Sequence, residues 1–517
     1  MTARYVIALD QGTTSSRAVL VDARGRAVGA VQNPFPQIYP QPGWVEHSPT
    51  YLLSSQLGAL TELVVSHGLA PADIAGIGIA NQRETCVVWN RETARPVSNA
   101  IVWQCRRTAP LIEQLAADPQ TVRAIAERTG LVPDAYFSAS KIKWILDNVP
   151  GAREDAQAGK LVFGTVDTWL IWQLTSGKVH ATDPTNASRT MLYNIHEMRW
   201  DPWLFDLFDI PLSMAPEVRP SAGGFGLTSH PGVVEGVPIL GVAGDQQAAL
   251  FGQRCFEPGQ AKNTYGTGCF LLMHTGGKAC RSSHGLLSTL AASAPGAAGP
   301  EYALEGSVFT AGALVQWLRD ELGLVATAAE TEELAESVPD TGGVYVVPAF
   351  TGLGAPHWDA EARGAIYGLT RGTSRAQVVR AALEALAYQV HDLAVAMEAD
   401  AGVPLRELKV DGGASANGFL MQFQSDILRT PLVRPQNTEA TALGAAYLAG
   451  LAGGFWKDTA QLLDLGGDAT RFEPRMDGAC RARLLDGWAR AVGRTMEKGR
   501  SRAVGRVGGR GSKEGLS

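Results

Sequence analysis

One device appears twice in this chain, once in each half: an apolar strand runs into a turn rich in Gly and hydroxyls, then leaves as a second strand. The first copy is Leu9-Asp10-Gln-Gly12-Thr13-Thr14-Ser15-Ser16-Arg17, and the second is Ala261-Lys-Asn-Thr-Tyr265-Gly266-Thr267-Gly268-Cys269-Phe270. Such a turn presents backbone N–H groups and hydroxyls outward, which suits phosphate oxygens, and its glycines let the backbone approach closely. In the first copy Asp10 closes a strand where it can hold hydrated Mg²⁺, and Arg17 adds positive charge. A third glycine site, Val410-Asp411-Gly412-Gly413-Ala414-Ser415-Ala416-Asn417, ends a strand in glycines. There Asn417 can cap a helix whose apolar positions are Leu420, Phe423 and Ile427, and the site can accept a nucleoside. Each site alone also fits an ordinary hairpin or strand-to-helix turn. Together they constrain the chain to an α/β protein that holds a nucleotide with hairpins.

Other nucleotide devices are absent. The sequence has no G-x-x-x-x-G-K-[ST], which excludes a P-loop enzyme, and no G-x-G-x-x-G opening a helix after a strand, which disfavours a dinucleotide fold. H-E-x-x-H and G-x-S-x-G are missing as well. With 45 Lys+Arg against 51 Asp+Glu the formal charge is -6, so no global basic field exists to hold a nucleic-acid backbone or an anionic membrane. Small ligands are the expected partners. The six cysteines (Cys86, Cys105, Cys255, Cys269, Cys280 and Cys480) show no C-x-x-C spacing and read as buried thiols in a reducing compartment. The first residues meet Asp10 after a short apolar run, so they read as neither signal peptide nor anchor. The uncharged stretches 285–300 and 441–456 are rich in Gly, Ala or Ser and do not read as membrane spans. The expected location is the cytoplasm.

A length of 517 residues argues for roughly two to four domains. The start reads as a β-meander over 5–10, 16–22 and 27–31, followed by strands at 74–80 and 85–89 and a helix around 140–148. A buried-strand run recurs at 237–244, and beyond it the order of hairpin then helices begins again, which places a boundary near residue 250. The clearest helix is 375–400, where Val379, Leu383, Leu386, Val390, Leu393 and Met397 recur every three or four residues. Residues 292–300 form a low-complexity loop. The expected division is an N-terminal domain 1–250 with the first phosphate hairpin, a C-terminal domain 251–498 with the second, and a disordered basic tail 499–517.

Seven ordered motifs now identify a resemblance that covers nearly everything up to about residue 490. They are Asp10-Gln-Gly-Thr-Thr-Ser-Ser-Arg17, Asn81-Gln-Arg-Glu-Thr85, Ile101-Val-Trp-Gln-Cys-Arg-Arg107, Tyr136-Phe-Ser-Ala-Ser-Lys-Ile-Lys-Trp144, Gly244-Asp-Gln-Gln-Ala-Ala249, Asn263-Thr-Tyr-Gly-Thr-Gly268 and Asp411-Gly-Gly413. The chain resembles the FGGY carbohydrate kinases, and among them the glycerol kinases. The resemblance implies an α/β fold of two actin-like (ribonuclease H-like) ATPase domains flanking a cleft. It also implies Mg-dependent transfer of the γ-phosphate of ATP to glycerol, and a homo-oligomer, dimer or tetramer.

Carried over by position, the resemblance gives Arg83, Glu84, Tyr136, Asp245 and Gln246 to glycerol, with Trp103 and Phe270 as apolar walls. The set suits a triol, because Arg83 beside Glu84 supplies a donor and an acceptor while aromatic rings cover C–H faces. Asp245 is the expected general base, with orientation of the attacking hydroxyl as its main task, since a loose transition state needs little prior deprotonation. Thr13, Thr14, Ser15, Arg17 and Thr267 would hold phosphates, Asp10 the Mg²⁺, and Gly312, Gln316, Gly413 and Asn417 would surround the nucleoside. Gly312 and Gln316 share one helix face by their i,i+4 spacing. The chain departs from some relatives at Gly223-Gly-Phe-Gly-Leu-Thr-Ser-His230-Pro-Gly-Val-Val-Glu235, which lacks the Lys and Arg a sugar bisphosphate requires. His230 reads as a surface-loop histidine. The competing readings are a kinase for another polyol or ketose, and an actin- or Hsp70-like conformational ATPase; the latter leaves Arg83-Glu84 and Asp245-Gln246 unexplained.

Overall fold

The opening meander forms as expected. In a computed structural model that describes residues 3–437, 439–465 and 467–507, β1 (Tyr5–Gln11) pairs antiparallel with β2 (Ser15–Asp22), and β2 with β3 (Ala27–Pro34). Then β4 (Ile74–Asn81) and β5 (Ile239–Gly244) add in parallel beyond β1, giving a sheet of order β5-β4-β1-β2-β3. These two strands are apolar almost throughout because both faces of the sheet are covered. On one face, α1 (Pro49–Ser66) and α2 (Val166–Leu174) bury Leu52, Leu60, Leu63 and Trp169 against Ile7, Leu9 and Ile79. The entry to α1 is set by Pro49 and by Ser48, whose Oγ accepts from the Tyr51 N–H.

The chain leaves β5 directly into α3 (Asp245–Gly252) and builds the same pattern again. A hairpin of β6 (Gln260–Tyr265) and β7 (Cys269–Gly276) takes β8 (Tyr302–Val308) antiparallel on the β7 side. On the other side it takes β9 (Glu407–Asp411) and β10 (Leu432–Pro435) in parallel. The order β8-β7-β6-β9-β10 and the strand senses reproduce the first sheet, with Leu287–Leu290 and Ala469–Phe472 added at the edges. Between β8 and β9 come α4 (Gly312–Asp320) and α5 (Arg375–Ala401); after β9 and β10 come α6 (Gly418–Leu428) and α7 (Ala440–Ala452). The long helix α5 starts at a capping box, Ser374 with Gln377, stops at Gly402 in the left-handed region (φ 70°), and packs Val379, Leu386 and Leu393 on Leu271 and Leu304.

The two sheets exchange helices. α7 follows the second sheet in sequence, yet packs Ala442, Ala445 and Leu448 on Val6, Ala8 and Val19 of the first. α3 follows the first sheet and sends Leu250 to Leu272 and Ala303 of the second. The two helices cross at glycines: a Cβ at Gly252 would lie 2.0 Å from the Ala440 carbonyl oxygen, and one at Gly444 1.8 Å from that of Ala248. Gly78 and Gly241 play the same part where α7 lies on β4 and β5. A division at residue 250 therefore falls inside α3. The expected disordered tail also differs in part: the last helix, α8, is Gly478–Val507, so 499–507 is helical backbone, and the rest of that stretch, 508–517, lies outside the described residues. Of the six free thiols, Cys480 is only partly buried, against the expectation for all six; the other five are interior. Among the described residues no helix is long and apolar enough to cross a membrane.

Candidate active site

A small antiparallel sheet inserted in the N-terminal half aims the acceptor residues. Its strand Cys86–Asn90 begins just after Arg83 and Glu84, and Trp103 follows its strand Ala100–Ile101. Glu84 adopts a left-handed backbone (φ 64°) that a bulky residue rarely takes, and its carbonyl is held by the Ser138 hydroxyl at 2.9 Å. The turn sends both neighbouring side chains inward. Arg83 Nε lies 3.2 Å from Asp245 Oδ1 and 3.7 Å from Glu84 Oε1. Its Nη2 reaches the Tyr136 hydroxyl at 3.5 Å. The Trp103 ring meets Tyr136 edge-on at 5.7 Å, and its Nε1–H donates to Thr13 Oγ1 at 3.1 Å, which ties the acceptor site to the first hairpin.

Arg83 is aimed by a partner in the other half of the chain. Glu305, on β8, accepts from Arg83 Nη1 (2.5 Å) and Nη2 (3.1 Å), and from Arg189 Nη2 (3.1 Å). Arg189 Nε in turn donates to Glu84 Oε1 at 2.6 Å. The two guanidiniums and two carboxylates are all buried and alternate in charge. Burial alone would raise the Glu305 carboxyl, but Arg189 and Arg83 overcome it and hold its pKa at about 2. Arg189 and Glu305 were missed by sequence reasoning. Arg189 stands in an unremarkable Ala-Ser-Arg-Thr run, and Glu305 is a strand residue whose inward facing only the sheet reveals.

Asp245 opens α3, where the helix begins at the end of β5. Its Oδ1 accepts from the Gln246 N–H at 2.7 Å, and its side chain keeps 31% exposure. Behind it the Gly244 N–H is held at 2.8 Å by Thr185 Oγ1, and Thr185 is anchored on the buried Asp183. Asp10, at the end of β1, faces Asp245. Burial, opposed by Arg17 and reinforced by Asp245 and Glu439, raises the Asp10 carboxyl to about 7.

The two hairpins differ in how free their donors are. In the first, Gln82 Nε2 clamps the Gly12 carbonyl at 2.9 Å, and Ser15 Oγ accepts from Gln32. Thr14 is exposed. Arg17 pairs at 2.7 Å with Glu439, which directly precedes α7, and so bridges the two halves. In the second, α4 sits on the turn: the Gly312 N–H donates to the Gly266 carbonyl at 2.9 Å, and a Cβ at Gly312 would lie 2.6 Å from that oxygen. Thr267 and Gln316 are exposed, and Phe270 is half-buried opposite Thr264. An open cleft of about 630 Å³ lies between the halves, lined by Arg17, Gly412, Gly413, Ser415, Arg434 and Glu439. Gly413 leaves room for a ligand, since a Cβ there would touch nothing. The Asn417 side chain is occupied: Oδ1 caps the Leu420 N–H at 2.8 Å and Nδ2 donates to Thr331 Oγ1 at 3.2 Å.

Known proteins share this fold and family. The model of the FGGY carbohydrate kinase N-terminal domain matches residues 5–252, and that of the C-terminal domain residues 261–453. The chain belongs to the FGGY family of carbohydrate kinases. Within the family it is 59% identical over 499 residues to glycerol kinase of Carboxydothermus hydrogenoformans, covering 96% of this chain and 99% of that one. It is 58% identical over 497 residues to glycerol kinase of Shewanella frigidimarina, covering 96% and 99%. Among FGGY and other kinase structures, Plasmodium falciparum glycerol kinase with ADP aligns with a TM-score of 0.91 at 37% identity over 96% of this chain and 99% of that one. Gluconate kinase of Lactobacillus acidophilus shares the fold at 21% identity, with a TM-score of 0.84 over 94% and 97% of the two chains.

Proposed function

We propose that this FGGY kinase transfers the γ-phosphoryl group of ATP to a terminal hydroxyl of glycerol, giving glycerol 3-phosphate and ADP. The observation that carries the reading is a partly exposed carboxylate, Asp245, held by Arg83 Nε at 3.2 Å beside a donor-acceptor pair walled by Trp103 and Tyr136. The printed names of the relatives support the same acceptor. In this reading Arg83 donates to one glycerol hydroxyl, Glu84 accepts from another, and Tyr136, Gln246, Trp103 and Phe270 shape the rest of the pocket. Asp245 orients the attacking hydroxyl and takes its proton as the O–P bond forms and the bond to the ADP oxygen breaks. Thr14, Ser15 and Thr267 offer donors to the phosphates, with Thr13, its hydroxyl oriented by Trp103, and Arg17 at the same edge. Gly312, Gln316, Gly413 and Asn417 border the nucleoside, the last by building the helix start.

Mg²⁺ fits the residues present. Asp10 is a partly buried carboxyl with no hydrogen-bond or ion-pair partner among the described residues, and lost solvation together with Asp245 and Glu439, against the pull of Arg17, raises it to about 7, an environment that a divalent cation relieves. Among the described residues no group of three His, Cys, Asp or Glu side chains is placed to hold a metal ion. That suits an ion held by one carboxylate, waters and substrate phosphates. Bound there, Mg²⁺ would neutralise phosphate charge. The test is ADP release from protein and Mg·ATP with glycerol, no acceptor, xylulose or dihydroxyacetone, for the natural chain and Asp245→Asn. Glycerol-dependent release lost in the variant is expected; release that needs no acceptor and survives Asp245→Asn would sink the proposal.

A further inference from the structure

Lys262 lies fully buried on β6, three residues before Tyr265 at the second hairpin, and its side chain reaches Gln246. The ammonium donates to Gln246 Oε1 and, at 3.0 Å, to Thr264 Oγ1. Both partners are neutral, and among the described residues Lys262 makes no ion pair. The charged groups that face it are Asp411 at the end of β9, Asp245 at the start of α3, Arg83 from the insert loop and Glu305 on β8, none in contact. Burial draws the ammonium down to about 8 against the pull of Asp411 and Asp245. An interior cation without a touching carboxylate is costly to a fold, and it is retained where a ligand supplies the opposite charge.

The same contact fixes a neighbour. Because the ammonium occupies Gln246 Oε1, the group of that amide left for the acceptor is its NH₂, a donor. We propose that Lys262 is a further positioning and charge-stabilising residue of the phosphoryl transfer: it sets the orientation of the Gln246 amide and places a buried positive charge between Asp245 and the Gly266-Thr267 turn, beside the path of the transferred group. The inference rests on the glycerol phosphotransfer reading above and adds to it a residue from the C-terminal half. A preorganised cation in a water-poor site stabilises charge that develops in the transition state more than charge already present in the bound substrate, so its removal lowers kcat more than it raises KM.

The experiment compares the natural chain with Lys262→Met, Lys262→Gln and Lys262→Arg in steady-state turnover and in thermal unfolding. Lys262→Met is expected to lose about 100-fold in kcat, with a much smaller rise in glycerol KM, and Lys262→Arg to recover most of the loss. The methionine variant is also expected to unfold at or above the temperature of the natural chain, because an unpaired buried charge is gone; a purely structural lysine would give the reverse. A kcat within about threefold in Lys262→Met overturns the inference, as does an arginine variant no better than methionine. If Lys262→Met does not fold, Lys262→Gln, which keeps a donor without the charge, decides by the same kcat thresholds. Absence of glycerol-dependent turnover in the natural chain would defeat the phosphotransfer reading itself, whereas normal turnover there with an active Lys262→Met defeats only this inference.

Discussion

Glu305→Gln removes one charge from the cluster that aims Arg83 while keeping its shape. The carboxylate spans Arg83 at 2.5 and 3.1 Å and Arg189 at 3.1 Å, and these guanidiniums, working against burial, take its pKa from 4.5 to about 2. At 1.36 kcal/mol for each tenfold step, that displacement is worth about 3 kcal/mol, in line with roughly 3–5 kcal/mol for stripping one partner from a buried ion pair. We expect the variant to lose about 3 kcal/mol of unfolding free energy at pH 7. The folded-state pKa lies below the unfolded one. The contribution is therefore complete above about pH 4.5 and fades as the pH falls toward 2, so the difference between variant and natural chain closes in acid. Kinetically, an Arg83 no longer gripped from β8 should raise glycerol KM by roughly an order of magnitude, the loss of about one charged hydrogen bond. Urea unfolding followed by tryptophan fluorescence from pH 7 down to about 3, alongside glycerol titrations at pH 7, measures both. Unfolding free energy and KM both unchanged at pH 7 would refute the reasoning and leave Arg83 positioned by Asp245, Glu84, Tyr136 and Gln247.

Further outcomes follow from single contacts. Gly444→Val, which drives a side chain into the Ala248 carbonyl where α3 and α7 cross, is expected to cost about 3 kcal/mol or more in urea unfolding. Trp103→Phe keeps the wall but removes the bond to Thr13 Oγ1; it should cost about 1 kcal/mol in kcat/KM for glycerol with the fold intact by circular dichroism. Iodoacetamide on the native protein is expected to label Cys480 alone, as read by mass spectrometry, because Cys86, Cys105, Cys255, Cys269 and Cys280 are buried and burial pushes Cys86 up to about 12 and Cys255 to about 11. Fructose 1,6-bisphosphate at low millimolar concentration should leave the rate unchanged, since the loop 223–235 carries no Lys or Arg.

Local features were legible wherever local chemistry decides the outcome. Gly-Thr turns between apolar runs gave both hairpins, the 3.6-residue apolar rhythm gave α5 to within one residue at its end, and Asn417 caps α6 as its position requires. The motifs around Arg83, Trp103, Tyr136 and Asp245 also named side chains that the fold brings together, Arg83 beside Asp245 and Tyr136, and Trp103 against Tyr136.

Residue order alone thus specifies the kind of chain: two repeats of hairpin and helices, a family, and a set of residues expected at its site. Tertiary structure decided how these are held. That α7 serves the first sheet and α3 the second is invisible in order along the chain, because an Ala- and Gly-rich helix satisfies either sheet until glycines permit the crossing at Gly252 and Gly444. The residues that aim Arg83 and Gln246 are Glu305 and Lys262, charges inside strands where periodicity predicts only burial. Their meaning depends on partners more than 200 positions away for the one pair and 16 for the other, and a buried charge is intelligible only once the opposite charge, or the lack of one, stands beside it.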